Sequence, residues 1–165
     1  MKLSYKDLIA DGGSFDGAFE FVNGDFKVEV KSFLANFLPT EAGVYLDLRF
    51  DFEFEGPCDK CLEATKGFGS EKSGISLMKQ REGSFNEEIE LDDDDMGTMY
   101  LDEDGLDLQD VVKQEVEYYL PVRMVCGEDC LGLCQQCGGN LNVGKCKCEA
   151  VVDPRWTALQ NIKKD

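Results

Sequence analysis

Histidine is missing from all 165 residues. Its absence removes the side chain that most often shuttles protons near neutral pH, and with it Ser-His-Asp triads, Cys-His dyads and histidine-ligated catalytic zinc. Positive charge is also scarce: 17 Lys and Arg stand against 34 Asp and Glu, a formal net charge of −17. Phosphate binding draws its strength from clustered Lys and Arg, so the chain as a whole suits a basic protein partner better than autonomous binding to nucleic acid. Long apolar runs are lacking too. No stretch approaches the roughly 18 apolar residues of a membrane span, and the first residues carry no apolar run of signal-peptide length. Together these absences predict a cytoplasmic protein that has no membrane contact, takes no small-molecule substrate and is not an enzyme.

What is present in excess is cysteine, and all eight fall in close pairs: Cys58 and Cys61, Cys126 and Cys130, Cys134 and Cys137, Cys146 and Cys148. A reducing compartment keeps thiols free, so such pairs point to metal binding before a disulfide framework. A two-residue gap lets one tight turn aim two thiolates at a single ion, and two turns complete a tetrahedron. Gly138 and Gly139 after Cys137 keep side chains clear of the sulfurs. Zinc suits four soft thiolates in a closed, redox-inert shell, and its binding supplies folding energy where apolar burial is small. The expected pairing joins Cys134 and Cys137 to Cys146 and Cys148, and Cys58 and Cys61 to Cys126 and Cys130, giving one or two structural Zn²⁺ ions. Spacing leaves open a single ion shared between Cys58/Cys61 and another pair, an iron–sulfur cluster, and disulfides or free thiols. A redox Cys-x-x-Cys fits less well, because no convincing helix follows Cys58.

Hydrophobic periodicity gives the architecture. Residues 17–54 read as strands, because FKVEV, VYLDLRF and DFEFE alternate apolar and polar side chains with period two, as in half-buried strands. Breaks at Asn23-Gly24, Leu38-Pro39-Thr40 and Gly56-Pro57 separate the runs, and further short strands are expected near 64–79 and 85–91. From Asp107 the period becomes helical through Leu108, Val111, Val112, Val116 and Tyr119, with Asp107 as cap and Pro121 as stop. Asp153-Pro154 marks a second helix start, with Trp156, Leu159 and Ile162 on one face. Asp92 to Asp95 lack the alternating ligands of a calcium loop and read as part of a long mobile loop over 92–105. The expectation is an α+β protein: a mainly antiparallel β domain over 1–120 with a packed helix at about 107–120, then a cysteine-rich, zinc-stapled lobe with a terminal helix over 121–165. The segment from Pro121 onward has a net charge of +1, so the rest carries −18.

In this order and spacing the motifs resemble the YceD family of large ribosomal RNA subunit accumulation proteins. The resemblance rests on Cys58-Asp-Lys-Cys61-Leu62, Leu106-Asp107-Leu108 leading through Glu115 to Leu120-Pro121, Cys126 to Cys148 with its Gly-Leu-Cys-Gln-Gln-Cys-Gly-Gly-Asn-Leu-Asn core, and Asp153-Pro154-Arg155-Trp156. The family usually has arginine where this chain has Lys60, and lysine does not reproduce a planar bidentate contact. Some members lack most of the C-terminal cysteines, which marks that zinc as scaffolding. The resemblance implies a non-enzymatic accessory of ribosome biogenesis that supports large-subunit ribosomal RNA accumulation or processing. Joined to the charge pattern, it predicts that the acidic β domain binds a basic ribosomal protein, while Arg155, Trp156, Lys163 and Lys164 face precursor RNA. The competing expectation is a zinc-ribbon protein-interaction adaptor acting outside the ribosome.

Overall fold

Strict alternation of apolar residues dictates the central sheet. The computed structural model describes residues 2–79, 97–101 and 105–148. In chain order it contains β1 (Lys2–Leu3), α1 (Tyr5–Asp11), β2 (Gly13–Asn23), β3 (Phe26–Pro39), β4 (Val44–Pro57), β5 (Ala64–Lys79), β6 (Thr98–Leu101), β7 (Leu106–Asp107) and α2 (Leu108–Tyr119). Strands β2 to β6 form one sheet in sequence order, antiparallel except where β6 runs parallel to the end of β5, and β1 pairs antiparallel with β7. The protein is therefore α+β, with mostly strands and an antiparallel-rich sheet.

In β4, Val44, Leu46, Leu48, Phe50 and Phe52 point to one face and are buried, while Tyr45, Asp47, Arg49, Asp51 and Glu53 point to the other. VYLDLRF and DFEFE keep the same parity, so they join as one strand. β3 supplies Val28, Val30, Phe33, Ala35 and Phe37 to the same core. A two-residue turn at Gly24-Asp25 closes the β2–β3 hairpin beside the Asn23–Phe26 pair, and Gly24 takes the φ of +57° that such turns need.

Residues 64–79, expected to hold short strands, form a single strand of 16 residues. Glycine hides its continuity, being depleted in ordinary strands. Gly67 and Gly69 pair with Phe54 and Phe52, whose rings occupy the space a Cβ would need. The large rings and bare glycines thus pack as complementary shapes on the core face.

Asp107 caps α2, its carboxylate accepting from Gln109 N at 3.1 Å, and Pro121 follows just beyond the last turn. Leu108, Val111, Val112 and Val116 are buried on the sheet, and Tyr119 meets Phe50 edge-on at 5.8 Å. Leu8 of α1, a helix the sequence reading did not anticipate, adds to this core. The expected loop over 92–105 needs correction as well, since residues 98–101 form β6. The expected strand at 85–91, Asp92 to Asp95 and the terminal helix from Asp153 lie outside the described residues.

The opposite sheet face is polar. Glu20, Glu29 and Glu53 align across β2, β3 and β4, an arrangement of like charges that costs stability. Lys31, at the β3 irregularity between Val30 and Ser32, offsets it by pairing with Glu29 at 2.7 Å and Glu53 at 3.2 Å. Among the described residues no helix is long and apolar enough to cross a membrane.

Candidate metal centre

The β4–β5 connection is a tight knuckle. Leu62 N donates to Cys58 O and Cys58 N to Glu63 O, both at 2.8 Å, which brings the Cys58 and Cys61 side chains to one side. The knuckle closes only because Leu62 adopts φ +63°, a conformation that costs a non-glycine residue about 1–2 kcal/mol. Cys58 is 0% and Cys61 4% exposed, although they lie at the end of the sheet.

They are covered by residues 121–148, which contain no regular element beyond a bridge between Leu133 and Asn140. Asp59 holds Met124 from both sides, its N–H donating to Met124 O and its carboxylate accepting from Met124 N, each at 2.8 Å. Leu133 N donates to Lys60 O at 2.9 Å, Lys60 Nζ to Cys130 O at 3.2 Å, and Asn140 Nδ2 to Glu63 Oε1 at 3.1 Å. These bonds set Cys126 and Cys130 against the knuckle.

The result is a four-sulfur cluster of Cys58, Cys61, Cys126 and Cys130, with all sulfurs within 4.8 Å of one another. Cys58 and Cys130 sulfurs are 3.9 Å apart and those of Cys61 and Cys126 3.6 Å. Four sulfurs at about 2.3 Å from a tetrahedral ion are separated by about 3.8 Å, so the spacing fits one soft ion. It is far longer than the roughly 2 Å of a disulfide, and all eight cysteines are free. Cys134, Cys137, Cys146 and Cys148 form a second cluster with the same 4.8 Å limit. Its first half is a turn in which Gly138 N donates to Cys134 O and Cys134 N to Gly139 O, both at 2.8 Å. Gly138 takes φ +69° there. The structure therefore brings together the same two sets of four that the spacing paired.

Neutral thiols would not hold an ion, so their ionisation decides what the clusters can do. Burial works against the Cys58 thiolate, but backbone N–H groups of Cys126, Cys61 and Lys60 outweigh it and bring its pKa down to about 6. The backbone N–H groups of Cys137 and Gln136 bring Cys134 down to about 6. Cys126 is pushed up to about 12, chiefly by Cys130, and Cys148 to about 12, chiefly by Cys137. In each cluster the first proton leaves readily and the last is held by the charge already present. A divalent cation held by the four sulfurs would remove that opposition.

Three polar residues beyond the cysteines shape the site. Asn142 donates from Nδ2 to Cys130 Sγ at 3.4 Å and accepts from Leu131 N at 2.7 Å. Asn140 Oδ1 accepts from Asn142 N at 2.9 Å, and Asp59 clamps Met124 as described. In the Gly-Gly-Asn-Leu-Asn run the sequence assigns a role to Gly138 and Gly139 but none to Asn140 and Asn142. The available signal was that short amides in a glycine turn bond neighbouring backbone. Arg155, Trp156, Lys163 and Lys164 lie outside the described residues.

Over 104 residues the chain is 30% identical to uncharacterised proteins of Mycobacterium bovis and of two strains of Mycobacterium tuberculosis. The alignment covers 63% of this chain and 48% of each relative, so the chain spans about half the length of the curated relatives it matches. No solved structure matches. Residues 46–163, which contain both four-sulfur clusters and the helix that packs on the sheet, match the family described as large ribosomal RNA subunit accumulation protein YceD, and the chain belongs to that family.

Proposed function

We propose that this protein is a non-enzymatic, cytoplasmic accessory of ribosome biogenesis whose two four-cysteine clusters hold structural Zn²⁺. The family carries the theme of large-subunit ribosomal RNA accumulation. The observation that supports a scaffolding role is that every cysteine belongs to a four-sulfur cluster. Four thiolates fill a tetrahedral shell, leaving no position for a substrate or an activated water, and catalytic zinc needs one. When bound, zinc supplies only cross-linking here. The residues themselves do the positioning: Asp59 and Lys60 hold the lobe to the sheet, and Asn142 orients Cys130.

The partner reading rests on charge. Residues 80–104 contain eleven acidic residues against one arginine, a net −10 of the chain's −17. The polar sheet face is far more balanced, because Lys27, Lys31, Arg49, Lys66 and Lys72 lie among its carboxylates. The contact with a basic ribosomal protein is therefore assigned to the acidic segment, with Arg155, Trp156, Lys163 and Lys164 left to meet precursor RNA.

Tagged full-length protein recovered from growing cells, with and without nuclease, tests this reading. Enrichment of large-subunit precursors or their basic proteins is expected, with the protein contact surviving nuclease. Recovery of a consistent non-ribosomal partner and neither of these would replace it with an adaptor function outside the ribosome.

A further inference from the structure

The two clusters have the same ligands but are built differently. The inner one, Cys58, Cys61, Cys126 and Cys130, joins the sheet to the lobe across more than 60 residues of chain, and two of its four ligands are buried. Its ligands are also held from outside the cluster. Asp59–Met124, Leu133–Lys60 and Lys60–Cys130 hydrogen bonds fix the backbone on both sides, and Asn142 and Cys126 N donate to Cys130 and Cys58 sulfurs. A sulfur that leaves the ion there stays beside it.

The outer cluster closes only residues 134–148. Both Cys137 and Cys148 are exposed, and the other two ligands are half-buried. Residues 144–148, which carry Cys146 and Cys148, are coil with no backbone–backbone hydrogen bond among the described residues. The loop between its two halves does not depend on its ion, because Asn140 is tied to Glu63 and Asn142 to Leu131 and Cys130. The outer cluster can open without detaching the lobe from the sheet.

Thiolate reactivity toward oxidants follows ionisation and access, and metal-bound sulfurs are already ionised. We propose that the outer cluster is a peroxide-sensitive zinc site that releases its ion on oxidation, while the inner cluster keeps its own. This rests on the metal reading above. The Cys137 thiolate attacks a hydrogen peroxide oxygen, the O–O bond breaks, and Cys137 becomes a sulfenic acid as hydroxide departs. The Cys148 thiolate then attacks that sulfur and expels the second hydroxide, forming a disulfide. The two sulfurs lose two electrons, peroxide gains them, and two protons from solvent convert both hydroxides to water. With two donors gone, the ion leaves, and an external thiol that reduces the disulfide restores the site.

The test uses full-length protein purified with reductant and zinc, with zinc counted before one equivalent of hydrogen peroxide is added. A chromogenic chelator follows release, and peptide mass spectrometry after alkylation maps the disulfide. Release of one of the two ions is expected, with Cys137 joined to Cys148 and with Cys58 and Cys61 still reduced. Cys148→Ser should carry only the inner ion and release none under the same treatment. Loss of both ions together, oxidation of Cys58 or Cys61 first, or no release would overturn the proposal with the metal reading intact. Protein that holds no zinc at the outset would instead remove the metal reading and the proposal with it.

Discussion

Chelation of the two zinc ions proposed above should release the lobe from an intact sheet. Apart from contacts at the cysteine sulfurs, five hydrogen bonds connect the knuckle to the lobe: two between Asp59 and Met124, one each from Leu133 to Lys60, Lys60 to Cys130 and Asn140 to Glu63. At about 1 kcal/mol net apiece they contribute about 5 kcal/mol together. A single structural zinc contributes about 10–16 kcal/mol at neutral pH. Ordering the backbone costs about 1–2 kcal/mol per residue. The lobe spans residues 121–148 with almost no regular structure, so the five bonds alone cannot hold it. The sheet has its own core, in which Val30, Leu46 and Leu48 are fully buried and α2 is packed without help from the lobe. Hydrogen exchange read by mass spectrometry should show the Asp59, Met124 and Leu133 amides losing protection after chelation, while those of Val30, Leu46 and Leu48 keep it. Persistent protection at Asp59 and Leu133 after verified loss of both ions would refute this reasoning, and so would simultaneous melting of the sheet.

Four further outcomes are expected. Leu62→Gly removes the penalty at φ +63° and loses little burial, the side chain being 65% exposed, so the denaturant midpoint should rise by the equivalent of about 1 kcal/mol. A fall would show that the Leu62 side chain makes contacts worth more than the strain. Gly69→Ala places a methyl in the ring of Phe52 and should cost about 1–3 kcal/mol in chemical denaturation, whereas a neutral result would mean that the ring moves aside freely. Asp107→Ala removes the α2 cap and should cost about 1 kcal/mol, measured by thermal melting against the parent. Hydroxyls of Ser70 and Ser32 hold the Asp51 carboxyl below its ordinary pKa, so its contribution is present above the unfolded-state value and is lost as pH falls through the folded one. Ser70→Ala should move the Asp51 titration upward in a carboxylate-resolved NMR experiment, and an unmoved titration would rule out the Ser70 contact.

Sequence reading succeeded where one physical signal dominated. Period-two alternation in β3 and β4 was legible because one face is solvated and the other buried, and the Asp107 cap and Pro121 stop bracketed α2 to within a residue or so. It failed where tertiary packing overrode local preference. β5 fills the region expected to be strand, 64–79, but Gly67, Gly69 and Gly74 argue against one unbroken strand until Phe54, Phe52 and Tyr45 are seen lying over them from β4. α1 is seven residues long with a single buried side chain, too short to show a helical stripe. β6 has four residues and pairs only with the end of β5, so its signal is the neighbour and not its own pattern.

For the candidate metal centre, residue types and spacing carried most of the information, because a thiolate pair in one turn has few uses. Connectivity was harder, since joining Cys58 and Cys61 to Cys126 and Cys130 depends on where the β4–β5 knuckle ends in space. That placement is set by the sheet register and by Asp59, Lys60 and Met124. The same placement explains why the two clusters differ despite identical donors. The inner one inherits its burial and its fixed backbone from a sheet with its own core, whereas the outer one has only a 15-residue loop and two asparagines. Cysteine spacing reads donor chemistry but cannot read how rigidly each sulfur is held, and that rigidity separates a permanent cross-link from one that can open.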